Sequence, residues 1–313
     1  MTKKQGGNRV SRTVTIDSIR ILNRLIPYRA SESITARSDK LAIAVLQKFF
    51  GPEWIERHIA KSRKGFLRND ISTPETRETC RMRRVLLAEM LYNLQIVDGF
   101  ASCIDELVGG QIESTYAALE IGRMLVTMAT DKGMTFRFVK PSKTPRQIAR
   151  KDYDLFIKFS DGVEVRGETK CKMEETKITL RTIESSMSQA KSQLPLRVPG
   201  IIFIKVPRRW IDDEVFAAKM RALADRFLAR SPNIVALKYY ISRIVRDEDA
   251  LGETIGEIVA FDERTNPKHQ FRKYRDRNWH MFPSTPSASP PQRMSYNGMP
   301  ANWQRLFVRG TEL

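Results

Sequence analysis

The sequence contains few cysteines and histidines, and their scarcity argues against two common kinds of structural site. The three cysteines lie far apart without a CxxC pair, whereas a disulfide framework needs regular spacing in a small secreted chain. The three histidines have no cysteine neighbour at the spacing of zinc ligands, which gives a structural zinc site little support. This cysteine usage fits the reducing conditions of the cytoplasm, where we expect the protein.

Long apolar segments and the common nucleotide-binding motifs are also absent. The basic N-terminus lacks the apolar stretch of a signal peptide, and nowhere do about eighteen apolar residues run together. We therefore expect neither a secretion signal nor a membrane span. P-loop, GxSxG and GxGxxG motifs do not occur, which removes the most frequent nucleotide-binding and hydrolase interpretations.

Acidic residues are in the minority, with 36 Asp and Glu against 54 Lys and Arg, so the formal net charge is +18. A chain of 313 residues that is 41% hydrophobic can bury a core of ordinary size. The excess of positive charge favours a polyanionic partner such as nucleic acid. Basic proteins with other roles share this bias, so the charge alone does not assign a partner.

Periodicity divides the chain into three regions. Residues 1–105 form a basic and mostly helical region, in which Ser72-Thr73-Pro74-Glu75 marks the start of a helix. Residues 106–263 mix helix-like and strand-like segments. Residues 264–313 are first basic with interleaved aromatic residues and then Pro/Ser-rich, as in a C-terminal tail.

The middle region predicts an α/β fold, in which helices surround a mixed sheet. A helix follows Gly109-Gly110, and the strand-like segment TFRFVK comes after it. The helix ending at Pro195 precedes the continuously apolar IIFIKV, as expected for a buried strand reached by a helical crossover. One further helix and two strands complete the expected domain.

The segment YDLFIKFSDGVEVRGETK, residues 153–170, alternates as a hairpin around Ser160-Asp161-Gly162. Alternate residues of a strand face the same side, so Glu168 and Lys170 share one face. A three-residue loop would set Lys158 opposite Glu164 and Asp154 opposite Glu168, whereas a two-residue turn would shift this pairing by one.

Two interpretations of the charged hairpin face remain open. Lys158 opposite Glu164 is typical of a solvated surface ion pair. Asp154 opposite Glu168 is not, because like charges set directly opposite destabilise a sheet, and their Cβ atoms would lie about 4.5 to 5.5 Å apart. At that separation both carboxylates can bind one divalent cation such as Mg²⁺ or Mn²⁺. Lys170 could then orient or deprotonate a water molecule, or steady developing negative charge.

Asp154, thirteen further residues, and then Glu168-Thr169-Lys170, set on a hairpin between two helices, resemble the motif of the PD-(D/E)xK, or restriction-endonuclease-like, nuclease superfamily. The resemblance covers roughly residues 106–206, about a third of the chain, and the motif is short. In this family a proline precedes the aspartate, whereas in this chain Tyr153 occupies that position. The resemblance implies a restriction-endonuclease-like mixed sheet flanked by helices, preceded by the helical N-terminal region.

The resemblance also implies roles for the hairpin residues. Asp154 and Glu168 would be metal ligands, the Thr169 main-chain carbonyl would be a further ligand, and Lys170 would be the catalytic lysine. The cofactor would be Mg²⁺ or Mn²⁺.

Two helices would contribute the remaining site residues under the same resemblance. Many members carry an acid on the first helix, for which Glu113 is the first candidate and Glu120 the alternative. Several members carry a glutamine on the helix after the motif, for which Gln193 is the first candidate and Gln189 the alternative. Each of these side chains could instead be an ordinary surface residue.

Substrate binding is expected from basic residues, because Lys and Arg supply most phosphate contacts. Four cations lie just before the hairpin: Lys143, Arg146, Arg150 and Lys151. The basic segment 264–277, with Phe271 and Tyr274 interleaved, could clamp a backbone and stack on an unpaired base, or could be a solvated tail.

The resulting expectation is a cytoplasmic, Mg²⁺-dependent nuclease that cuts DNA in preference to RNA. We expect an endonuclease rather than an exonuclease. A role in restriction, repair or phage defence would be in keeping with the resemblance, and double-strand cutting would call for a homodimer with two active sites. The alternative is a catalytically inactive nucleic-acid-binding protein on the same fold. A third interpretation is a basic scaffold whose hairpin is only a charged surface.

Overall fold

A computed structural model describes residues 13–27, 34–61, 65–68, 73–139, 153–173, 176–247 and 253–281. The chain divides into two compact units between Gln95 and Ile96, whereas the sequence pattern put the boundary after residue 105. The expected boundary falls within a helix, Phe100–Val108, that belongs wholly to the second unit. None of the helices in the described ranges is long and apolar enough to cross a bilayer.

The first unit is helical, as the sequence predicted. Its elements are α1 (Ile16–Leu25), α2 (Ile34–Phe50), α3 (Pro52–Ile55) with a π-helical continuation (Glu56–Ala60), and α4 (Pro74–Leu94). The start of α4 is confirmed, because the Thr73 side chain accepts a hydrogen bond from the Thr76 N–H and Pro74 occupies the first turn. Buried Arg84 makes a two-pronged contact with Asp39, with both N–O distances 2.6 Å, and so ties α4 to α2.

The second unit is an α/β structure built on a six-stranded mixed sheet, which confirms the predicted α/β class. Its elements are α5 (Phe100–Val108), α6 (Ile112–Lys132), β1 (Thr135–Phe138), β2 (Leu155–Lys158), β3 (Glu164–Cys171), α7 (Leu180–Gln193), β4 (Gly200–Lys205), α8 (Arg208–Asp212), α9 (Glu214–Ala229), β5 (Ile234–Asp247) and β6 (Glu253–Thr265). The strands lie in chain order across the sheet. β3, β4 and β5 are parallel, and the remaining pairs are antiparallel.

The β2–β3 hairpin has the predicted three-residue loop. The Phe159 N–H donates to the Val163 carbonyl at 2.9 Å, and Gly162 adopts φ = 82°, a left-handed conformation that glycine takes without strain. Lys158 pairs with Glu164, and Leu155 pairs with Gly167. This register brings Asp154, the residue before β2, beside Glu168, as expected.

β2 is only half as long as β3, with four residues against eight. Pairing with β2 therefore ends at Gly167, and among the described strands the second half of β3, from Glu168 to Cys171, pairs with β4 alone. The start of β2 thus leaves a step in the sheet next to Glu168.

Helices cover both faces of the sheet beside this step. In β4 the side chains from Ile201 to Ile204 are fully buried, as predicted for a strand covered on both faces. α7 and α9 pack on the face that carries Ile202 and Ile204. α6 lies on the other face, where the Tyr240 hydroxyl donates to the Ala117 carbonyl at 3.2 Å.

α5 is held against β1 by a close main-chain approach. The Phe138 N–H donates to the Asp98 carbonyl at 2.9 Å. A Cβ added to Gly99 would overlap the Phe138 carbonyl oxygen, and Gly99 has φ = +79°. Only glycine allows both features at this position, and so it fixes where α5 begins.

Residues 266–281, expected to belong to the tail, pack against the sheet. β6 continues to Thr265, and the buried Asn266 amide donates to the Leu228, Ser231 and Ile234 carbonyls. The buried Lys238 ammonium donates to Glu263 at 2.5 Å and to the Trp279 carbonyl at 2.7 Å. A buried charge needs such partners, and they anchor the segment. Residues 282–313 lie outside the described part of the chain.

Candidate active site

A cavity of about 430 Å³ opens at the step in the sheet where β2 begins. Three parts of the fold line the cavity: the hairpin, α5 together with the start of α6, and the end of α7. The polar side chains from these elements include Asp105 and Glu106 of α5, Gln111 and Ser114 near the start of α6, Tyr153, Asp154, Glu168, Thr169 and Lys170 of the hairpin, and Gln193 of α7.

Asp154 and Glu168 form a carboxylate pair in this cavity. Asp154 Oδ2 accepts a hydrogen bond from the Thr169 N–H at 2.7 Å. Glu168 is only 1% exposed, and its Oε1 accepts from the Lys170 ammonium at 2.6 Å. Its Oε2 is buried without a hydrogen-bond partner among the described residues. An unpartnered buried carboxylate oxygen is costly, so the pair calls for a proton or a cation at this oxygen.

The electrostatics of the pair lead to the same conclusion. Burial raises the pKa of the Asp154 carboxyl. Burial and, to a smaller extent, the nearby charge of Asp154 raise the pKa of Glu168 to about 9, whereas Lys170 acts to lower it. Two carboxyl groups that share a buried site do not both ionise readily without a compensating positive charge. Without a metal ion, the protonated form of Glu168 is therefore favoured over its carboxylate.

Lys170 is fixed from two sides. Its ammonium group donates to Glu168 Oε1 on the same strand and to Gln193 Oε1 at the end of α7, at 2.5 Å. The lysine side chain is 21% exposed. Of the two candidate glutamines, Gln193 lines the cavity, while Gln189 lies exposed on the helix surface. The structure thus brings Asp154, Glu168, Lys170 and Gln193 together.

The hairpin residues fit a divalent cation. The N–H and C=O of one strand residue point to the same side, so the Thr169 carbonyl is directed toward the side on which its N–H meets Asp154. Mg²⁺ is commonly held by one or two carboxylates, with water and phosphate oxygens completing its shell. The described residues contain no group of three or more His, Cys, Asp or Glu side chains set to hold a metal. A third protein ligand would therefore be the main-chain carbonyl.

The acids expected on the first helix lie elsewhere. Glu113 is exposed and is not among the described residues that line the cavity. Glu120 is buried on the other face of the sheet, where it accepts hydrogen bonds from Lys205 at 2.8 and 3.0 Å and from the Ser242 hydroxyl at 2.5 Å. Neither residue brings a carboxylate to the site in this structure, because α6 directs one to the surface and the other to a buried ion pair.

α5 supplies the additional carboxylates of the cavity, which the sequence analysis did not identify. Glu106 accepts from the Thr115 hydroxyl at 3.0 Å, and its pKa is raised by burial and by the charge of Asp154. The only sequence signal is a short helix between Gly99 and Gly109-Gly110 that carries two adjacent acids, Asp105 and Glu106, in its last turn. Periodicity alone does not reveal that this helix turns back toward the hairpin.

The cationic residues predicted to bind substrate are placed only in part. Lys143, Arg146, Arg150 and Lys151 lie outside the described residues. In segment 264–277, Arg277 bonds to Asp161 of the hairpin loop and its guanidinium lies 4.4 Å from the Phe159 ring centre. Tyr274 makes an edge contact with Trp279. These side chains contribute to packing within the fold.

Comparisons with protein-family models, with curated proteins and with solved structures give no match to this chain. The assignment of the site therefore rests on the geometry of the hairpin and α7. The four converging side chains come from three parts of the fold: Asp154 precedes β2, Glu168 and Lys170 lie on β3, and Gln193 ends α7.

Proposed function

We propose that this protein is a Mg²⁺- or Mn²⁺-dependent nuclease that hydrolyses phosphodiester bonds of nucleic acid, with DNA preferred to RNA. We propose further that it has a restriction-endonuclease-like fold of the PD-(D/E)xK type and acts in the cytoplasm. The observation that carries the proposal is the convergence of Asp154, Glu168, Lys170 and Gln193 in one cavity, with one Glu168 oxygen buried and unpartnered among the described residues. The net charge of +18 suits a polyanionic substrate.

Asp154, Glu168 and the Thr169 main-chain carbonyl would hold the metal ion. When bound, such an ion polarises the scissile phosphate and lowers the pKa of a coordinated water molecule. Ionisation of Glu168 has to accompany metal binding, because burial and the charge of Asp154 raise the pKa of its carboxyl to about 9 in the metal-free protein. Loss of this proton gives Glu168 the charge that a metal ligand needs.

Lys170 supplies a positive charge at the cavity surface. Its hydrogen bonds to Glu168 and Gln193 hold the ammonium group in one direction. From this position it orients the attacking water or steadies the negative charge that develops on the phosphate. Gln193 acts through Lys170 as a positioning residue.

The test is cleavage of labelled single-stranded DNA, duplex DNA and RNA with Mg²⁺, with Mn²⁺ and with EDTA. The active-site variants are Lys170→Ala and Glu168→Gln. Their matched controls are Lys219→Ala on α9 and Glu184→Gln on α7, which remove the same charges from exposed helix positions. We expect metal-dependent cutting by the wild type and both controls, and a loss of cutting of at least about 100-fold in the two active-site variants.

Other outcomes lead to different conclusions. If every protein binds nucleic acid and none cuts it, the chain is a nucleic-acid-binding protein on this fold. If none binds, the positive charge serves another purpose and the nuclease proposal fails. If duplex DNA is cut on both strands, the oligomeric state should be measured at the same concentration, because we then expect a homodimer with two active sites.

A further inference from the structure

Three neighbouring strands place a phenylalanine ring between two guanidinium groups. Arg137 of β1 pairs with Phe156 of β2, and Phe156 pairs with Arg166 of β3. The guanidinium carbons of Arg137 and Arg166 lie 4.8 and 4.3 Å from the Phe156 ring centre. These three residues are called the Arg137–Phe156–Arg166 row. They bring two like charges to within about 9 Å of each other on one ring.

The row has only weak compensation for its charge among the described residues. Arg137 lies 3.8 Å from Asp98, and Arg166 lies 3.4 Å from Glu164. Both distances exceed the roughly 2.7 to 2.9 Å of a strong charged hydrogen bond, and the Asp98 and Glu164 side chains are 76% and 46% exposed. The Arg137–Asp98 pair, exposed on both sides, contributes little. The Arg137 side chain is 51% exposed, whereas the Arg166 side chain is 15% exposed and also donates to the Val165 carbonyl at a long 3.5 Å. The planar fork of a guanidinium matches the geometry of a phosphate group.

The row lies on the same face of the sheet as the carboxylate pair. Phe156 is two positions from Asp154, and Arg166 is two positions from Glu168, so their side chains point to the same side. Tyr153 connects the two features, because it lines the cavity and its ring centre lies 5.4 Å from the Arg166 guanidinium carbon. A chain of phosphates that passes through the cavity would meet the row next.

We propose that the Arg137–Phe156–Arg166 row is a phosphate-binding surface that holds the sugar-phosphate backbone of the nucleic-acid strand beside the scissile phosphate. This inference rests on the proposed function for the direction of the strand. Phe156 holds the two guanidinium groups apart and is itself covered by them, so the row contacts backbone and does not stack on bases. Its contribution to affinity should therefore be independent of sequence.

Two measurements on the full-length protein test the row. The first is the affinity for fluorescein-labelled single-stranded and duplex DNA in EDTA, by fluorescence anisotropy over a range of salt. The second is KM and kcat for cleavage with Mg²⁺. The variants are Arg137→Gln and Arg166→Gln. Their matched control is Arg221→Gln, which removes another arginine stacked on a phenylalanine, 4.8 Å from the Phe261 ring centre, near the opposite edge of the sheet.

We expect Arg137→Gln and Arg166→Gln each to weaken DNA binding about tenfold, to the same extent for different base sequences. The dependence of log affinity on log salt should fall by roughly one unit for each lost phosphate contact. KM should rise while kcat changes little, and Arg221→Gln should bind like the wild type. Thermal unfolding of each variant separates a binding defect from a folding defect. If Arg166→Gln proves unstable, Arg166→Lys, which keeps the positive charge, is measured in its place.

Glu164→Gln gives a test in the opposite direction. Glu164 is the anion next to Arg166, so removing its charge should tighten DNA binding about twofold or more. Unchanged or weaker binding in this variant would count against the row.

The outcomes distinguish this inference from the proposed function. If the wild type cuts DNA and both arginine variants bind and cut like it, the row is overturned while the nuclease stands. If the wild type binds without cutting and the arginine variants lose affinity, the row stands while the nuclease proposal fails. If the wild type does not bind nucleic acid, both are overturned.

Discussion

The Lys170 ammonium group donates a hydrogen bond to the Gln193 side-chain oxygen at 2.5 Å, although 23 positions separate the two residues. One residue lies on β3 and the other at the end of α7, the helix that connects β3 to β4. The contact therefore joins both ends of the crossover to the candidate site. Lys170 also donates to Glu168, so its position depends on a strand neighbour and on a helix at once.

Removing the Gln193 contact should impair catalysis more than binding. We expect Gln193→Ala to lower kcat about 10- to 100-fold, as is typical when a residue that orients an active-site group is lost, with KM nearly unchanged. Gln193→Glu keeps an acceptor oxygen and should retain more activity. Steady-state cleavage kinetics measure both effects. Gln189→Ala, on the exposed side of the same helix, is the control and should match the wild type, and equal losses in both variants would contradict a positioning role.

Metal binding should require both carboxylates and should strengthen as pH rises. Calorimetric titration of the wild type with Mn²⁺ should give one site that Asp154→Ala loses and Glu184→Gln keeps. Because Glu168 has to release a proton before it can bind a cation, the apparent affinity should increase up to about tenfold per pH unit below about pH 9. A pH-independent affinity would show that Glu168 is not a ligand.

The metal-free protein should lose stability as pH rises. Below pH 4.5 the Glu168 carboxyl is protonated in both folded and unfolded chains. Between pH 4.5 and about 9 the folded protein keeps a proton that the unfolded chain has released, so the free energy of unfolding falls by up to about 1.4 kcal/mol per pH unit. Urea unfolding in EDTA measures this slope. Glu168→Gln should flatten it, and a slope unchanged in this variant would assign the effect to another group.

Glu106 should affect metal binding, whereas Glu113 should not. Glu106 lines the cavity, and its pKa is raised partly by the charge of Asp154. Glu113 is exposed outside the described lining of the cavity. We expect Glu106→Gln to change Mn²⁺ affinity by about tenfold and Glu113→Gln to leave it unchanged in the same titration. The reverse ranking would restore Glu113 as the helix acid.

Glu120 should be important for stability and not for chemistry. Its carboxylate is paired with Lys205, whose side chain is only 12% exposed, and it also accepts a hydrogen bond from Ser242. We expect Glu120→Gln to lower the free energy of unfolding by about 3 kcal/mol, since removing one partner leaves a buried charge uncompensated. Urea unfolding gives this value, with Glu113→Gln as the control expected to stay within about 0.5 kcal/mol of the wild type. Cleavage per folded molecule should be retained.

The hairpin and its register could be predicted because local rules determine them. Alternation with a period of two gives the faces, and Ser160-Asp161-Gly162 gives the loop length, which together fix Asp154 beside Glu168. The apolar run of β4 likewise predicted a strand covered on both faces. These patterns are short in sequence and do not depend on distant contacts.

The burial of Glu168 and the position of the helix acid could not be predicted in the same way. The charged hairpin face was expected to be solvated or metal-bound, and the structure encloses Glu168 because the sheet face that carries it also packs against α7. Glu113 and Glu120 lie seven positions apart on one helix, yet one is exposed and the other pairs with Lys205. Such differences follow from tertiary packing, which the periodicity of a single helix does not reveal.

The step in the sheet has a consequence for how such a site can arise or disappear. The candidate site borders the half of β3 that extends beyond its pairing with β2. The volume of the cavity therefore depends on how many residues of β2 pair with β3, and not only on which side chains are present. Two additional pairs at the start of β2 would fill that space with main chain while leaving every site residue in the sequence unchanged. An insertion or deletion near this strand end could therefore remove the proposed activity from a related chain that retains all four side chains, and the residue motif alone would not distinguish that chain from an active one.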